Sequence, residues 1–337
     1  MRSLRTALLL ILPAAAACSD STRMGMGDVS SIIVVAEAGL WEQVGDTLLK
    51  ALQPEVFAVR PEATFKLTHV APDDPNWRDL RRFRQVLAVG RSDDAWVRPV
   101  LVEADTTVTP PAIVQATDVW ARNQLASALV VPEEGAAAAV REQAAALADR
   151  LDATYRQWAV RRMYTSGVDT VLADTLAREG GFSISLPVVY TFRREGPNGF
   201  LAFNNQMAGT PLVRSVYVTW RSGTSGEPTA AEALAWRDSV GQAVYDWPQR
   251  SQPEPIQVRR IPGPDGGGIE VRGVWSGTAD EGFPQAGPFI TRVVDCPASD
   301  RRYLIDTWLY APATEKYQYV IQLESLLGSF RCGRRPA

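Results

Sequence analysis

Residues 268–330 read GIEVRGVWSGTADEGFPQAGPFITRVVDCPASDRRYLIDTWLYAPATEKYQYVIQLESLLGSF. Gly268–Trp275, Phe289–Val294 and Arg302–Tyr310 are rich in β-branched and aromatic residues, so each predicts a strand. In Thr314–Phe330, Val320, Leu323, Leu327 and Phe330 recur at steps of three and four, which predicts a helix. The strand Phe289–Val294 runs one way, Arg302–Tyr310 returns, and the helix runs back along the first direction. Upstream, Leu212–Trp220 alternates between two faces. Thr229–Trp247 is amphipathic through Ala233, Trp236, Val240, Val244 and Trp247, with Pro228 just before it. Ile256–Ile261 reads as a further strand, and Gly266-Gly267-Gly268 closes a hairpin turn behind it.

The first half of the chain has a comparable order. Ser31–Ala36 is a short β-branched run, read as a buried strand. Leu40–Leu52 has helical spacing and is ended by Pro54. Ala63–Val70, Arg84–Gly90 and Leu125–Val131 read as strands. Asp94–Pro111 reads as a loop or irregular hairpin, and Asp118–Gln124 as a helical turn. The longest helix runs from Pro132 to about Tyr164, through Val140, Ala144, Leu147, Leu151, Tyr155 and Trp158. Between the halves, Asp169–Glu179 is a weaker helix, and Phe182–Pro187, Val189–Arg193 and Phe200–Asn204 are strand-like. The repeated order predicts an α+β fold of two ferredoxin-like halves, 31–164 and 212–332, joined by a connecting segment, 165–211. Each half is expected to hold an antiparallel sheet with helices packed on one face.

The first residues, MRSLRTALLLILPAAAACSDS, have a different character. Arg2 and Arg5 precede a compact apolar run, and small residues lead into Cys18. That is the order of a bacterial export signal, and a cysteine directly after the small residues is the order of a lipoprotein signal. The apolar stretch from Thr6 to Ala17 covers 12 residues, whereas a spanning helix needs roughly 20. Residues 1–17 are therefore expected to be removed, leaving Cys18 as the lipid attachment site and residues 18–30 as a flexible tether. Stable anchoring follows from two or more acyl chains on that cysteine. The alternative is a plain secretory signal with Cys18 incidental; Ala15 stands where the common lipoprotein pattern has leucine. The absence of aspartate directly after Cys18 leans towards the outer rather than the cytoplasmic membrane.

With Cys18 assigned to the anchor, Cys296 and Cys332 remain. An even pair in an oxidising compartment reads as one disulfide, and the strand–strand–helix topology brings the two to one edge. The alternative is two free thiols. Removing residues 1–17 leaves 320 residues and takes Lys+Arg from 35 to 33 against 38 acidic residues, a net charge of −5. That is long enough for one large or two ordinary domains, and its mild acidity argues against a nucleic-acid partner.

The strands Arg272-Gly273-Val274-Trp275 and Gly287-Pro288-Phe289, and Tyr310-Ala311-Pro312 before the last helix, carry a resemblance. Together with GDTLLKAL near the start and VWARNQ midway, they resemble an uncharacterised bacterial lipoprotein family, domain-of-unknown-function family 4837. Ala286 stands where that pattern has glycine. The resemblance implies a cell-envelope lipoprotein and brings no activity with it.

Patterns for catalysis are sparse. The single histidine, His69, rules out a multi-histidine metal site, and it lies in an alternating run that predicts a partly exposed strand position. There is no glycine-rich phosphate loop and no nucleophile elbow; no cofactor is expected. Asp280 and Glu281 are a conceivable carboxylate pair, but adjacent residues rarely sit on opposed walls as glycoside hydrolysis requires. Tryptophan is frequent, and Trp41, Trp158, Trp236 and Trp247 fall on apolar helix faces, which points to packing. Arg272, Trp275, Asp280, Phe283 and Phe289 surround one glycine-rich loop and form the candidate exposed binding patch. These readings favour a lipid-anchored, non-catalytic binding or scaffolding module with an envelope protein as partner. A carbohydrate or peptidoglycan binder is the alternative, and an envelope hydrolase a more distant one.

Overall fold

The strand Arg301–Tyr310 lies in the middle of an eight-stranded sheet and is buried along almost its whole length. The computed structural model describes residues 23–206, 209–223, 226–262, 267–277 and 285–333. The chain divides into two units, residues 1–41 with 68–136, and residues 42–67 with 137–337.

In the second unit the sheet order is Gln249–Ser251, Gly268–Gly277, Ala286–Cys296, Arg301–Tyr310, Leu212–Ser222, Gly199–Gln206, Thr191–Glu195. Gln257–Ile261 also pairs with Gly268–Gly277. Every pairing is antiparallel. The segment read as connecting, 165–211, carries two of these strands, because Phe200–Ala202 is buried against Val216–Val218.

Both faces of this sheet are covered. The helix Ala230–Ala243 lays Ala233, Trp236 and Val240 on a core with Val213, Tyr217, Val271, Trp275, Phe289 and Trp308. It starts with a capping box in which Thr229 and Glu232 satisfy each other's backbone N–H. Tyr317–Gly328 packs on the other face, where Gln322 accepts a 2.6 Å hydrogen bond from Arg214. Helices on one face only was the expectation. In Leu212–Ser222, however, both alternating sets are buried, Val213, Ser215 and Tyr217 as well as Val216, Val218 and Trp220. Each set needs its own cover.

The first unit holds a five-stranded sheet in the order Lys66–Val70, Ser31–Val35, Gln85–Gly90, Leu125–Val130, Ala112–Thr117. Here the antiparallel expectation is corrected. Ser31–Val35 and Gln85–Gly90 pair in parallel, as do Gln85–Gly90 and Leu125–Val130; Ala112–Thr117 with Leu125–Val130 is antiparallel. The physical reason is visible in the burial. Ile32–Val35 and Gln85–Gly90 are buried at every position, as strands covered on both faces are. This half is α+β in content without the ferredoxin-like pairing. The short helix Arg98–Glu103 replaces the loop expected at Asp94–Pro111 and buries Val100 and Leu101. Asp118–Gln124 is not helical. It is a loop held by Gln124, whose amide donates to the Arg81 and Phe83 carbonyls at 2.7 and 2.6 Å.

Within the tether, residues 23–30 are tied to the domain. Gly25 N–H donates to the Arg122 carbonyl and Arg84 N–H to the Met26 carbonyl, each at 2.8 Å. Residues 1–22, including Cys18, lie outside the described residues. No helix among the described residues is long and apolar enough to cross a membrane.

Candidate functional site

A cleft of about 430 Å3 opens in the second unit. One wall is the 28-residue helix Ala136–Met163, which presents Asp149, Asp152 and Arg156, one and two turns along a single face. The opposite wall is the helix Tyr317–Gly328, with Tyr317, Val320 and Glu324 at i, i+3 and i+7. Arg272 enters from the sheet, and Val56, Phe57 and Phe65 form an apolar end.

Asp152, Arg156, Arg272 and Glu324 in the cleft close on one another. Arg156 Nε donates to Asp152 at 2.7 Å, and another of its nitrogens donates to Glu324. Glu324 also accepts from Arg272. Tyr317 donates its O–H to Asp152 and stacks on Tyr155 with ring centroids 5.4 Å apart. Arg272 Nε also donates to Glu270 at 2.9 Å, and this buried carboxylate further accepts from Arg259 and Arg292 at 3.0 and 2.8 Å. Next to Tyr317 in sequence, Lys316 pairs with Glu62 and Glu315 with Lys66.

Burial and pairing pull the ionisations in opposite directions. Burial disfavours the Arg156 charge, but the hydrogen bonds to Asp152 and Glu324 outweigh it and raise the pKa. Arg272 is raised in the same way, by Glu324 and then Glu270. Burial pushes Tyr317 up, and its bond to Asp152 adds to the rise. Burial also opposes the Glu270 charge, yet Arg272 and Arg292 hold its pKa below the ordinary carboxylate value. The result is a pre-paired polar surface. Among the described residues no group of three or more His, Cys, Asp or Glu is placed to hold a metal ion.

The sequence-predicted patch is dispersed. Arg272 is in the cleft, but Trp275 and Phe289 are fully buried on the other face of the sheet. They are core residues and not an exposed surface; an aromatic on the inward-facing register buries a large area. Asp280, Glu281 and Phe283 lie outside the described residues. The two motifs turn out to pair with each other, Gly273 opposite Phe289 and Trp275 opposite Gly287. Cys296 and Cys332 are bridged with Cα atoms 5.6 Å apart. Cys332 lies in Arg331–Cys332, which pairs with Phe182–Ser183. His69 is half-buried and stacks on Trp41 at 4.4 Å.

Asp152, Arg156, Tyr317 and Glu324 were not singled out from sequence. The i,i+4 spacing of Asp152 and Arg156 was the one available signal, and it is shared by many solvated helix faces.

Two segments match known families: residues 25–164 match the domain of unknown function DUF8532, and residues 169–329 match the domain of unknown function DUF4837. GDTLLKAL and VWARNQ fall in the first match, and the motifs around Trp275 fall in the second. No curated protein matches the chain. Among solved structures, the Ran-binding protein Mog1p of Saccharomyces cerevisiae is similar over 46% of this chain and 92% of its own, at 9% identity and a TM-score of 0.30. A point mutant of Mog1 is similar over the same shares at 10% identity and a TM-score of 0.30. Likeness at that level carries nothing about function. The strands that bring Gly273 against Phe289 and Trp275 against Gly287 lie within the segment, residues 169–329, that matches the family DUF4837.

Proposed function

We propose that the chain is a cell-envelope lipoprotein, held to the outer or cytoplasmic membrane by a lipid on Cys18. There it acts as a non-catalytic binding or scaffolding module with the charged cleft as its recognition surface. The anchor rests on the order of residues 1–18: a basic start, a short apolar run, small residues, then cysteine.

The observation that carries the binding reading is the mutual pairing inside the cleft. A general base must be free to accept a proton, and a nucleophile needs a base beside it. Asp152, Glu324 and Glu270 are instead each engaged by at least one guanidinium. Such a surface is already ordered before a partner arrives, so little side-chain freedom is lost on binding. Its volume of about 430 Å3 falls in the usual range of roughly 300–1,000 Å3 for ligand sites. An envelope protein offering a segment with both charged and aromatic side chains suits these walls.

Crosslinking in intact envelopes followed by mass spectrometry tests this. A recurrent protein partner that disappears in Arg156→Ala and Arg272→Ala supports the reading; recovery of the same partners from both variants overturns it. Separately, Cys18→Ser should release the protein from membranes and block acyl labelling. If the variant stays membrane-bound, the anchor is wrong.

A further inference from the structure

One row of facing residues crosses five strands of the eight-stranded sheet: Phe203, Ser215, Trp308, Phe289 and Gly273 are successive partners. Two of the five are small. The space at Gly273 is taken by the Phe289 ring. Beside Ser215 there is instead a cavity of about 70 Å3, walled by Phe203, Tyr245, Trp247 and Trp308.

Two hydrogen-bonding groups line this cavity without being used. Ser215 Oγ and Trp308 Nε1 are buried and have no partner among the described residues. Ser215 is fully buried and Trp308 is 5% exposed. Directly facing residues on neighbouring strands project to the same side, so Ser215 and Trp308 bring an unpartnered O–H and an unpartnered N–H to one face of the sheet. A buried donor left unmade is costly, and the pair therefore selects an occupant with an acceptor oxygen. The remaining walls are aromatic and favour a methyl group over a second charge. The volume corresponds to about two waters or a group of about four non-hydrogen atoms. An acetamido group has that size, one carbonyl oxygen and one methyl.

The rim indicates what carries the group. Trp247 is half-buried at the mouth, and Asn205 and Asp246 are exposed beside it. Arg193 donates to Asp246 at 2.9 Å and lies over the Phe203 ring. An aromatic surface edged by polar side chains suits a sugar ring and its hydroxyls better than an aliphatic chain.

We propose that this cavity binds the acetamido group of an N-acetylhexosamine, with Trp247 at its mouth. The site shares no residue with the charged cleft, and its occupancy does not depend on the lipid anchor.

The test uses the full, 15N-labelled chain titrated with N-acetylglucosamine while indole N–H resonances are followed. The Trp308 resonance is assigned by its disappearance in Trp308→Phe. It should move saturably with N-acetylglucosamine and stay still with glucosamine. Ser215→Val, which fills the space and removes a donor, should weaken binding by at least about tenfold. If that variant does not fold, the difference between the two sugars on the unaltered chain still decides. No movement, as expected for a cavity holding water only, overturns the proposal. So does equal movement with glucosamine, or tighter binding of Nε-acetyllysine than of the sugar.

Discussion

Trp275 sits directly opposite Gly287 on the neighbouring strand, and its indole N–H donates to the Leu309 carbonyl at 3.2 Å. A Cβ on Gly287 would overlap that same carbonyl oxygen and crowd the indole nitrogen. Glycine here serves close approach, not backbone freedom. Gly287→Ala must therefore shift the strand, and a loss of roughly 3 kcal/mol or more is expected. Urea unfolding monitored by tryptophan fluorescence measures it; a midpoint equal to that of the unaltered chain would refute the packing account.

Phe289 fills the space that Gly273 leaves on the facing strand. Phe289→Ala is expected to cost about 3–5 kcal/mol, since it removes a fully buried ring and leaves a cavity. If the residue belonged to an exposed patch, the same change would be nearly silent in a thermal melt.

Glu270 predicts an acid dependence. Its folded pKa lies below the ordinary value of 4.5 because the arginines outweigh burial. A depressed carboxylate contributes stability that is present above the unfolded pKa and is lost as pH falls through the folded one. Glu270→Gln leaves Arg259, Arg272 and Arg292 without their shared carboxylate charge and with one acceptor oxygen in place of two, at a cost of roughly 3 kcal/mol near neutral pH. The gap between variant and parent should narrow as pH drops below 4.5. Denaturant midpoints across pH 3–7 check this, and a gap that widens in acid contradicts the sign.

Asp306 is a second buried carboxylate, fully enclosed, accepting from Tyr245 at 2.6 Å and from Thr291, with Arg237 Nε at 3.5 Å. Asp306→Asn leaves the fully buried Arg237 guanidinium, over the Phe289 ring, with Asp238 at 3.4 Å as its remaining carboxylate, and a loss of about 3 kcal/mol is expected. Replacing Arg237 by Met together with Asp306→Asn should recover part of that loss. Additive destabilisation in the double variant would show that the two groups are not coupled.

The Cys296–Cys332 bridge closes a sequence separation of 36 residues. Chain entropy assigns such a loop roughly 3–4 kcal/mol. Thiol labelling of denatured, unreduced protein should find neither cysteine reactive, and Cys296→Ala with Cys332→Ala should lower the denaturation midpoint accordingly.

Strong periodicity carried most of the fold. Ala136–Met163 announces itself through buried steps of three to four, and Leu212–Ser222 through its density of β-branched and aromatic residues. Strand direction did not follow, because a continuous apolar run such as Ile32–Val35 says that both faces are buried without saying which neighbour it meets. Arg98–Glu103 is six residues long, too short to display a helical period. The patch misled for a reason that was available beforehand: Arg272 and Trp275 are three apart on a strand and so face opposite sides. The cleft was hidden because its partners, Arg156 and Glu324, are 168 residues apart. Each looks locally like a solvated helix charge.

The two matched family segments meet between residues 164 and 169, yet the helix Ala136–Met163 works with residues on the far side of that junction. Tyr155 stacks on Tyr317, Asp152 accepts its hydroxyl, and Glu62 holds Lys316. Heredity and folding thus divide this polypeptide at different places. A gene trimmed to residues 169–329 would encode the sheet without half of the cleft's walls. In this chain a helix from the segment matched to one family walls the cleft of the segment matched to the other.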